Sequence, residues 1–403
     1  MPLQKERDIL AFCHLRWNFV YQRPQHLLSR WQKTAHVHLW EEPIFDDREE
    51  PSLQCSIGQG GVEVITPMLP RRLNGAEAEA VQRVLLDEYI AEKKLSNFVA
   101  WYYTPMALRF SDHLQPAVTV YDSMDELSAF QGAPPELILE EKRLFERADV
   151  VFCGGASLFA SKRLQHPNVH LFASSIDAEH FAQAREPMAD PADQAGIPHP
   201  RIGFYGVLDE RLDRELLAQL SALNPDWHFV MIGPVVKISD DELPKGPNLH
   251  YLGQKSYSEL PVYLANWDIA MLPFARNAST RFISPTKTPE YLAGGKPVIS
   301  TPIQDVVRPY GEAGHVEIAA TAQEFTAAAN RIFSRPDPQW LKRVDQMLAG
   351  MSWDKTFEGM TAEIYRCAIR REAQLGRQPG KTRHVAVTSS AAQASIEREG
   401  EAA

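Results

Sequence analysis

The stretch SPTKTPEYLAGGKPVISTPI, residues 284–303, contains a short helix that leads directly into a buried strand. Thr288 is a good N-cap, and Pro289 occupies the preferred first helical position. The helix is expected to end at Gly294 and Gly295, because glycine readily adopts the backbone conformation that terminates helices. The apolar run that follows predicts the buried strand. A helix followed by such a strand is the repeating unit of α/β proteins.

The same alternation extends over most of the chain. Short apolar runs that predict strands occur near residues 8–13, 35–40, 96–102, 117–121, 150–153, 201–205, 228–232, 249–252, 269–272 and 297–300, with helical patterns between most of them. Strands that alternate with helices predict parallel, helix-covered sheets. We therefore predict an α/β fold of two doubly wound, Rossmann-like domains, with a cleft between their strand ends.

The composition along the chain suggests where the domains begin and end. We assign residues 1–180 to an N-terminal domain, 181–200 to a proline-containing linker and 201–350 to a C-terminal domain. A closing helix at 351–376 is expected, with the C-terminal helices packing back toward the first domain. The segment 377–403 is rich in Ser, Ala, Gln and Glu without an apolar period, which predicts a disordered tail.

Charge and cysteine content exclude several classes of protein. The 403 residues include 42 Lys and Arg against 52 Asp and Glu, so the net charge of −10 argues against nucleic acid as a partner. The four cysteines form no C-x-x-C pair, which argues against a zinc site and a disulfide framework. No signal peptide or bilayer-spanning apolar run is visible, so we expect a soluble cytoplasmic protein.

Lys287 has the wrong charge for its position. It immediately precedes the predicted helix, where the macrodipole is positive, and an anion would reverse the sign of the interaction. Backbone N–H groups near Thr286 and Thr288, together with the Lys287 ammonium, would form a diphosphate site that requires no metal. Glu290 could then accept hydrogen bonds from ribose hydroxyls. The alternative is a solvated Lys287 and a Glu290 that only complements the helix dipole.

These residues resemble the nucleotide-sugar-binding region of GT-B fold glycosyltransferases of the retaining group 1, or family four, type. The strand and helix order over residues 8–372 is similar to that architecture. The stretches CHLRWNFVYQRPQHLLSRW (13–31) and YDSMDELSAF (121–130) resemble a bacterial branch associated with surface-polysaccharide synthesis. The resemblance implies transfer of a sugar, with retention, from a nucleoside diphosphate sugar to a glycan or lipid-linked acceptor. It implies no metal and no other cofactor.

The resemblance assigns Lys287 to the donor diphosphate and Glu290 to the ribose. Members of the family often carry a second glutamate eight positions before Glu290, where this chain has Phe282. The sugar contacts of that glutamate therefore cannot be transferred to this chain. Ser284 and Thr286 are candidates to replace some of its hydrogen bonds.

The turn after the strand at 201–205 contains a second cationic candidate. The family often offers an arginine and a lysine to the phosphates here, and this chain has Val207 and Arg211 at those positions. Arg211 and Lys287 could together neutralise a departing nucleoside diphosphate. The alternative is an exposed Arg211 paired with Asp209 or Asp213.

Glycines follow three strands of the predicted second domain. Gly206 would let the backbone approach the ligand closely. Gly233 and Gly253 could form the floor of the nucleotide pocket, with main-chain groups near Gln254 and Lys255 reading the base edge. The alternative for Gly233 and Gly253 is a simple turn.

The first domain is expected to bind the acceptor. The loop after its first strand contains Arg16, Trp17 and Arg23, which suit a sugar: the indole would cover an apolar sugar face, and a guanidinium would bind hydroxyls or a phosphate. A structural tryptophan and ion-paired arginines are the alternative. Asp122, at a strand end, is the candidate for substrate positioning and catalysis.

Asp122 lies where many relatives carry a His-Asp pair, although Tyr121 replaces the histidine. Asp125 and Glu126 could simply start the following helix. N-capping by Ser123 or Asp125 is the alternative for the whole stretch.

Two other functions remain open from the sequence. One is a GT-B fold nucleotide-sugar epimerase, which would need acid and base groups at the sugar. The other is a non-catalytic nucleotide-sugar-binding scaffold, because Phe282, Val207 and Tyr121 all replace common family residues. A lipid-linked acceptor would bring the protein to the inner face of the membrane as a peripheral protein. Arg71 and Arg72 are then a candidate basic contact, with a solvated loop as the alternative.

Overall fold

The computed structural model describes residues 7–335 and 337–375. The strands of the N-terminal domain are β1 (Ile9–Cys13), β2 (Val37–Glu41), β3 (Ile44–Asp46), β4 (Ser52–Ile57), β5 (Glu63–Pro70), β6 (Val99–Tyr102), β7 (Val118–Ser123), β8 (Val150–Cys153) and β9 (Val169–Leu171). Those of the C-terminal domain are β10 (Arg201–Tyr205), β11 (His228–Ile232), β12 (Leu249–Tyr251), β13 (Ile269–Leu272), β14 (Val298–Ser300) and β15 (Val316–Ile318).

Helices connect most of these strands. They are α1 (Arg23–Trp31), α2 (Gly75–Lys93), α3 (Leu108–Ser111), α4 (Glu136–Arg147), α5 (Ala156–Lys162), α6 (Ala178–Ala182), α7 (Arg214–Leu223), α8 (Leu260–Ala265), α9 (Lys287–Ala293), α10 (Gln304–Val306), α11 (Ala322–Ser334), α12 (Trp340–Leu348) and α13 (Trp353–Leu375). No helix in residues 7–335 and 337–375 is long and apolar enough to span a bilayer.

Each domain is built on a parallel sheet. The first sheet has the order β3-β5-β2-β1-β6-β7-β8-β9, with β4 added antiparallel to β5. The second has the order β12-β11-β10-β13-β14-β15, with every strand parallel to its neighbours. The chain reverses direction across the sheet at β1 and at β10, and such switch points create a crevice at the carboxyl ends of the strands. The predicted α/β class with two doubly wound domains is confirmed.

The sequence of β1 shows why its apolar run is continuous. Leu10 and Phe12 enter a core cluster on one face of the sheet, whereas Ile9, Ala11 and Cys13 enter a cluster on the other face. Because helices cover both faces, every position of the strand is buried. The C-terminal sheet has one large core of its own.

The predicted linker at 181–200 differs from the structure. Phe181 and Ala184, in and just after α6, are buried in the C-terminal core. Gln194 is also buried and accepts a hydrogen bond from the Trp267 indole at 2.9 Å. The segment therefore packs as part of the second domain. A helix of five residues buries too few side chains to produce a recognisable period.

The two last helices have different partners. In α12, Val344 and Leu348 pack in the C-terminal core. In α13, Trp353 and Met360 pack in the N-terminal core, and Arg371 is 2.9 Å from the Asp149 carboxylate. Only α13 thus packs back on the first domain. The tail expected at 377–403 lies outside the described residues.

The beginning of α9 also differs from the expectation. The helix starts at Lys287 with Thr286 as its N-cap residue, so Thr288 and Pro289 already lie within the first turn. The Thr288 N–H donates to the Pro285 carbonyl at 3.2 Å. This turn before the helix brings Lys287 into the first helical position.

The packing of Trp267 against β10 gives a test of the second core. A Cβ on Gly203 would lie 2.0 Å from the buried Trp267 ring. We therefore expect Gly203→Ala to reduce the free energy of unfolding by about 1–3 kcal/mol or more, as in other overpacked cores. Urea denaturation measures this change. Gly196→Ala is the matched control, because a Cβ there would meet nothing within 4 Å. Equal stability of the two variants would contradict the close packing.

Candidate functional site

A cleft of about 520 Å³ lies between the two domains at the carboxyl ends of their strands. We call it the main cleft. The N-terminal domain contributes the loop at 17–21, and the C-terminal domain contributes the ends of β10 and β11, the loop at 254–257 and two side chains of α9, Lys287 and Glu290. Of the predicted donor-binding residues, the main cleft brings together Gly206, Gly233, Gln254, Lys287 and Glu290.

A smaller cavity of about 100 Å³ adjoins the main cleft and shares Gly206 and Lys287 with it. We call it the inner pocket. Its charged lining residues are Arg23 and Asp125 from the N-terminal domain and Arg211 and Lys287 from the C-terminal domain. Ser284 and Thr286 line it as predicted. The inner pocket therefore combines three cations with one carboxylate.

The floor of the main cleft depends on two glycines at strand ends. Gly206 and Gly233 have φ angles of +154° and +145°. A Cβ on Gly233 would lie 1.8 Å from the Gly206 carbonyl oxygen, so neither backbone segment leaves room for a side chain. Gly253 does not line the cleft; its carbonyl accepts a hydrogen bond from the Gly233 N–H at 2.9 Å.

Among the residues that the structure describes, no carboxylate forms an ion pair with the Lys287 ammonium. Its one hydrogen bond to the described residues goes to the Thr286 hydroxyl at 3.1 Å. Burial lowers the pKa of Lys287, Glu290 and Asp125 oppose that shift, and Arg211 adds to it. Lys287 is only partly buried and lines both cavities, so an anion bound there could pair with its ammonium.

Arg211 is ion-paired, as the alternative interpretation of the sequence had it. Its Nε and Nη2 atoms donate to the buried Asp209 carboxylate at 2.7–3.0 Å. Asp213 instead caps α7 by accepting from the Leu216 N–H. Within the described residues the Nη1 atom of Arg211 makes no hydrogen bond, so this side of the guanidinium can still bind a ligand in the inner pocket.

Glu290 faces the main cleft from the first turn of α9. Burial raises the pKa of its carboxyl group, and the nearby Lys287 ammonium opposes the shift. Thr288 is fully buried beside it, its hydroxyl unpartnered in this part of the chain, and lines neither cavity. Its predicted role as N-cap is wrong, because Thr286 occupies that position, whereas the predicted donor contact of the backbone near Thr288 stays a prediction.

Asp122 and Arg23 form a buried ion pair. The Arg23 Nε and Nη2 atoms donate to both carboxylate oxygens of Asp122 at 2.8–3.0 Å, and Nη1 donates to the Phe172 carbonyl at 2.7 Å. Asp122 is completely buried and lines neither cavity. The predicted catalytic role in direct contact with substrate does not fit this placement. Asp122 holds Arg23 at the edge of the inner pocket.

Asp125, three residues further, is the carboxylate that reaches the inner pocket. It has no hydrogen bond or ion pair with any residue that the structure describes, whereas its neighbour Glu126 binds Lys162 at 2.8 Å. Burial raises the pKa of Asp125, and Arg211 and Lys287 oppose that shift. In the sequence, Asp125 could be noticed because it comes soon after the predicted strand at 117–121. Asp122 and Glu126 also follow that predicted strand, so position alone did not single out Asp125.

The predicted acceptor residues are mostly engaged by the protein itself. Arg16 donates to the Glu41 carboxylate at 3.0 Å and to the Glu42 carbonyl, and it lines neither cavity. Trp17 lines the main cleft but is only 4% exposed, so little of its ring could cover a sugar. The structural alternatives describe both residues better.

The candidate membrane contact is similarly occupied. Arg71 is 3.1 Å from the Asp47 carboxylate, and Arg72 donates to the Glu49 carbonyl. Both residues match the solvated-loop alternative. Among the residues that the structure describes, no group of three or more His, Cys, Asp or Glu side chains could hold a metal ion.

Residues 199–335 match a family model described as glycosyl transferases group 1. The resemblance to glycosyltransferases of group 1 is confirmed for this segment. Over 217 residues, half of this chain, the sequence is 27% identical to TuaH of Bacillus subtilis (strain 168), a protein provisionally named as a teichuronic acid biosynthesis glycosyltransferase. The match spans 54% of that protein, so the chain covers about half the length of this curated relative.

Solved structures share the fold over nearly their whole length. The Escherichia coli trehalose-6-phosphate structure bound with UDP-2-fluoro glucose has a TM-score of 0.63 at 12% identity, covering 92% of this chain and 99% of that one. Sucrose-phosphate synthase of Thermosynechococcus elongatus has 0.63 at 16%, covering 92% and 98%. Anabaena HepE in complex with UDP has 0.63 at 12%, covering 89% and 100%. The predicted GT-B fold is confirmed.

The placement of Asp122 generates a prediction about its role. Asp122→Leu should reduce the free energy of unfolding by about 3–5 kcal/mol, because it leaves the Arg23 guanidinium buried without its partner. The double variant Arg23→Leu with Asp122→Leu should recover most of that loss. A double-mutant cycle by urea denaturation measures the coupling. Additive losses in the double variant would contradict a paired structural role.

Proposed function

We propose that this protein is a metal-independent, retaining glycosyltransferase that moves a sugar from a nucleoside diphosphate sugar to a glycan or lipid-linked acceptor in cell-surface polysaccharide synthesis. The observation that carries the proposal is the half-buried Lys287 ammonium, which has no ion pair with the residues that the structure describes and lies where the main cleft meets the inner pocket. A diphosphate at this junction would supply the missing negative charge. The group 1 match of residues 199–335 and the name of the Bacillus relative support the same activity.

The two cavities suit the two ends of such a donor. The nucleoside would occupy the main cleft, with the ribose hydroxyls donating to Glu290 and the base near Gln254. The diphosphate would bind Lys287 and the Nη1 atom of Arg211, which makes no hydrogen bond to the described residues. The sugar would then extend into the inner pocket. UDP-containing structures of the same fold support a nucleotide in this type of cleft.

Lys287 and Arg211 would act most strongly as the bond between the sugar and the diphosphate breaks, because negative charge then accumulates on the leaving phosphate. The acceptor hydroxyl forms the new bond to the same sugar carbon, and its proton passes to a leaving phosphate oxygen. This front-face route gives retention and requires no nucleophilic carboxylate. The two cations neutralise the leaving group, which is the task that a metal ion performs in other transferases.

Asp125 would bind the donor sugar. Its carboxylate accepts hydrogen bonds only, so sugar hydroxyls are suitable partners. It lies in the pocket beside Arg211 and Lys287 and has no competing bond to the described protein. Asp125 would therefore take over sugar contacts that the family obtains from a glutamate at the position of Phe282.

Contacts across the main cleft would exclude water from the donor. The Gln254 side chain donates to the Phe19 carbonyl of the other domain at 2.5 Å. The Tyr21 and Tyr257 rings stack across the same boundary with centroids 4.6 Å apart. Exclusion of water would limit hydrolysis of the donor. We place the reaction in the cytoplasm, where nucleotide sugars would be available, with contact at the inner membrane face if the acceptor is lipid-linked.

Donor binding can be tested by thermal shift against UDP-, GDP-, ADP- and dTDP-sugars. One nucleotide class should stabilise the protein equally with and without EDTA. Lys287→Met should weaken that binding by about 10- to 100-fold, because a hydrogen bond to a charged group contributes about 1.5–3 kcal/mol. Lys245→Met is the control, since Lys245 is an exposed lysine of the same domain.

No stabilisation of the folded protein by any of these donors would overturn the assignment. Stabilisation that EDTA abolishes would refute metal independence. Transfer to an acceptor separates the proposal from the other two functions: donor turnover without an acceptor identifies an epimerase, and binding without turnover identifies a scaffold.

The affinity for the donor should depend on pH at both extremes. Lys287 has a lowered pKa, so the ammonium is lost, and binding weakens, at a pH below its ordinary value of 10.5. Glu290 has a raised pKa, so its carboxylate is protonated, and binding weakens, already above pH 4.5. Isothermal titration calorimetry measures this affinity. A sugar nucleotide is the suitable ligand, because it has no terminal phosphate whose own ionisation would change with pH. In the plot of donor affinity against pH, Lys287→Met should remove the loss of affinity at alkaline pH, and Glu290→Gln should remove the loss at acid pH. If either loss of affinity persists in the corresponding variant, the role assigned to that residue is contradicted.

A further inference from the structure

A third cavity, of about 290 Å³, lies wholly within the N-terminal domain. We call it the N-domain pocket. It begins at the carboxyl ends of β1 and β2, and α2 and the segment 104–110 close it. This edge of the sheet faces the crevice between the domains, where ligands of such folds bind. Its volume is close to the lower end of the range for small-molecule sites, about 300 Å³.

Two buried polar groups in this pocket have no hydrogen-bond partner in the described part of the chain. Gln82 is 5% exposed and its Oε1 atom accepts no hydrogen bond from the described residues. Trp40 is 1% exposed and its Nε1–H has no acceptor there either. Both side chains line the cavity. Buried polar groups are nearly always hydrogen-bonded, so an unpaired acceptor and an unpaired donor in one cavity indicate a missing ligand.

A hydroxyl group satisfies both requirements, because it donates one hydrogen bond and accepts others. A sugar carries several such hydroxyls. The pocket also offers apolar rings: Phe12 and Phe110 lie inside, and Phe45 at the rim is 40% exposed. Aromatic rings commonly cover the apolar face of a sugar, and an exposed phenylalanine at the mouth of a polar cavity suits that contact.

The charge of the lining limits which sugars fit. Three carboxylates, Glu41, Glu42 and Glu79, line the pocket. Arg109 pairs with Glu79 at 2.5 Å, and Arg16 from outside the pocket pairs with Glu41 at 3.0 Å, so one negative charge remains in excess. A phosphate or a uronate would meet this negative charge unfavourably, whereas a neutral or amino sugar would not.

One residue joins this pocket to the main cleft. Glu41 lines the N-domain pocket, and its Oε1 atom accepts from the Trp17 N–H at 2.6 Å. Trp17 in turn lines the main cleft. The two cavities are therefore separated by little more than this loop, so a chain of two or three sugars could extend from one toward the other.

We propose that the N-domain pocket binds a neutral or amino sugar residue of the acceptor glycan. The inference rests on the proposed glycosyltransferase function and specifies its acceptor. It assigns acceptor recognition to Gln82, Trp40 and Phe45, none of which contacts the donor cavities.

The test is saturation-transfer NMR on the full chain with four trisaccharide probes: maltotriose, chitotriose, the glucosamine trimer and trigalacturonate. The neutral or amino trisaccharides should receive saturation, and trigalacturonate should receive much less. Gln82→Leu and Phe45→Ala should each weaken binding about five- to tenfold, the amount expected for one hydrogen bond or one aromatic contact. Val84→Ala, an exposed position on the same helix, should change nothing.

The melting temperature distinguishes binding from a structural role. Gln82→Leu removes an unsatisfied buried group, so the protein should melt at the same temperature or higher while sugar binding falls. The inference is overturned if no neutral or amino trisaccharide binds, if trigalacturonate binds as well as they do, or if neither variant affects binding.

Donor thermal shifts on the same samples separate this inference from the proposed function. Donor binding without trisaccharide binding would refute the N-domain pocket alone. Trisaccharide binding without any nucleotide-sugar binding would refute the donor site.

Discussion

The buried pair of Arg23 and Asp122 fixes the geometry on which the candidate site depends. Through it, the start of α1, the end of β7 and the Phe172 carbonyl after β9 meet at one point. The loop at 14–22 is therefore held at both ends, by β1 and by Arg23. This loop forms the N-terminal wall of the main cleft. The same pair ends β7 in a defined position, so the direction of the following residues, including Asp125, is defined as well.

On this framework, both domains contribute charged groups to one small volume, and Arg23 among them is already paired with Asp122. Lys287 and Arg211 come from the C-terminal domain, and Asp125 comes from the N-terminal domain. Arg211 is neutralised by Asp209, whereas Lys287 has no close counterion in the described chain. A diphosphate, as proposed for the donor, would supply negative charge beside this half-buried ammonium.

The sequence predicted the fold and part of the site, for different physical reasons. Strands that are buried on both faces have continuous apolar sequences, so the strands of the two parallel sheets could be recognised in the sequence, beginning with β1. Lys287 and Glu290 could be found because they lie in one turn of one helix. Arg23 and Asp122 are 99 residues apart, and no local pattern shows that they pair.

The choice between Asp122 and Asp125 failed for a related reason. Asp122 lies within β7 near its end, whereas Asp125 lies in the turn after it. Whether a side chain points into the sheet or into the cleft here depends on where the strand ends and on the backbone path of the turn, which packing decides. The start of α9 was misplaced by two residues because Thr286 and Thr288 are equally suitable caps by residue type.

Gln82 and Trp40 were not recognised because a buried glutamine on a helix and a tryptophan on a strand are ordinary core residues until the structure shows their unpaired atoms.

Phe282 connects these observations. Where the family often has a glutamate in the C-terminal domain, this chain has a phenylalanine that packs against the core of the N-terminal domain. The carboxylate that we assign to the donor sugar, Asp125, belongs instead to the N-terminal domain. A glutamate at position 282 could contact the sugar without help from the other domain, whereas Asp125 can contact it only when the domains are together. In this chain, recognition of the sugar would therefore be coupled to domain closure, and Phe282 would favour the closed arrangement by burying its ring across the same boundary.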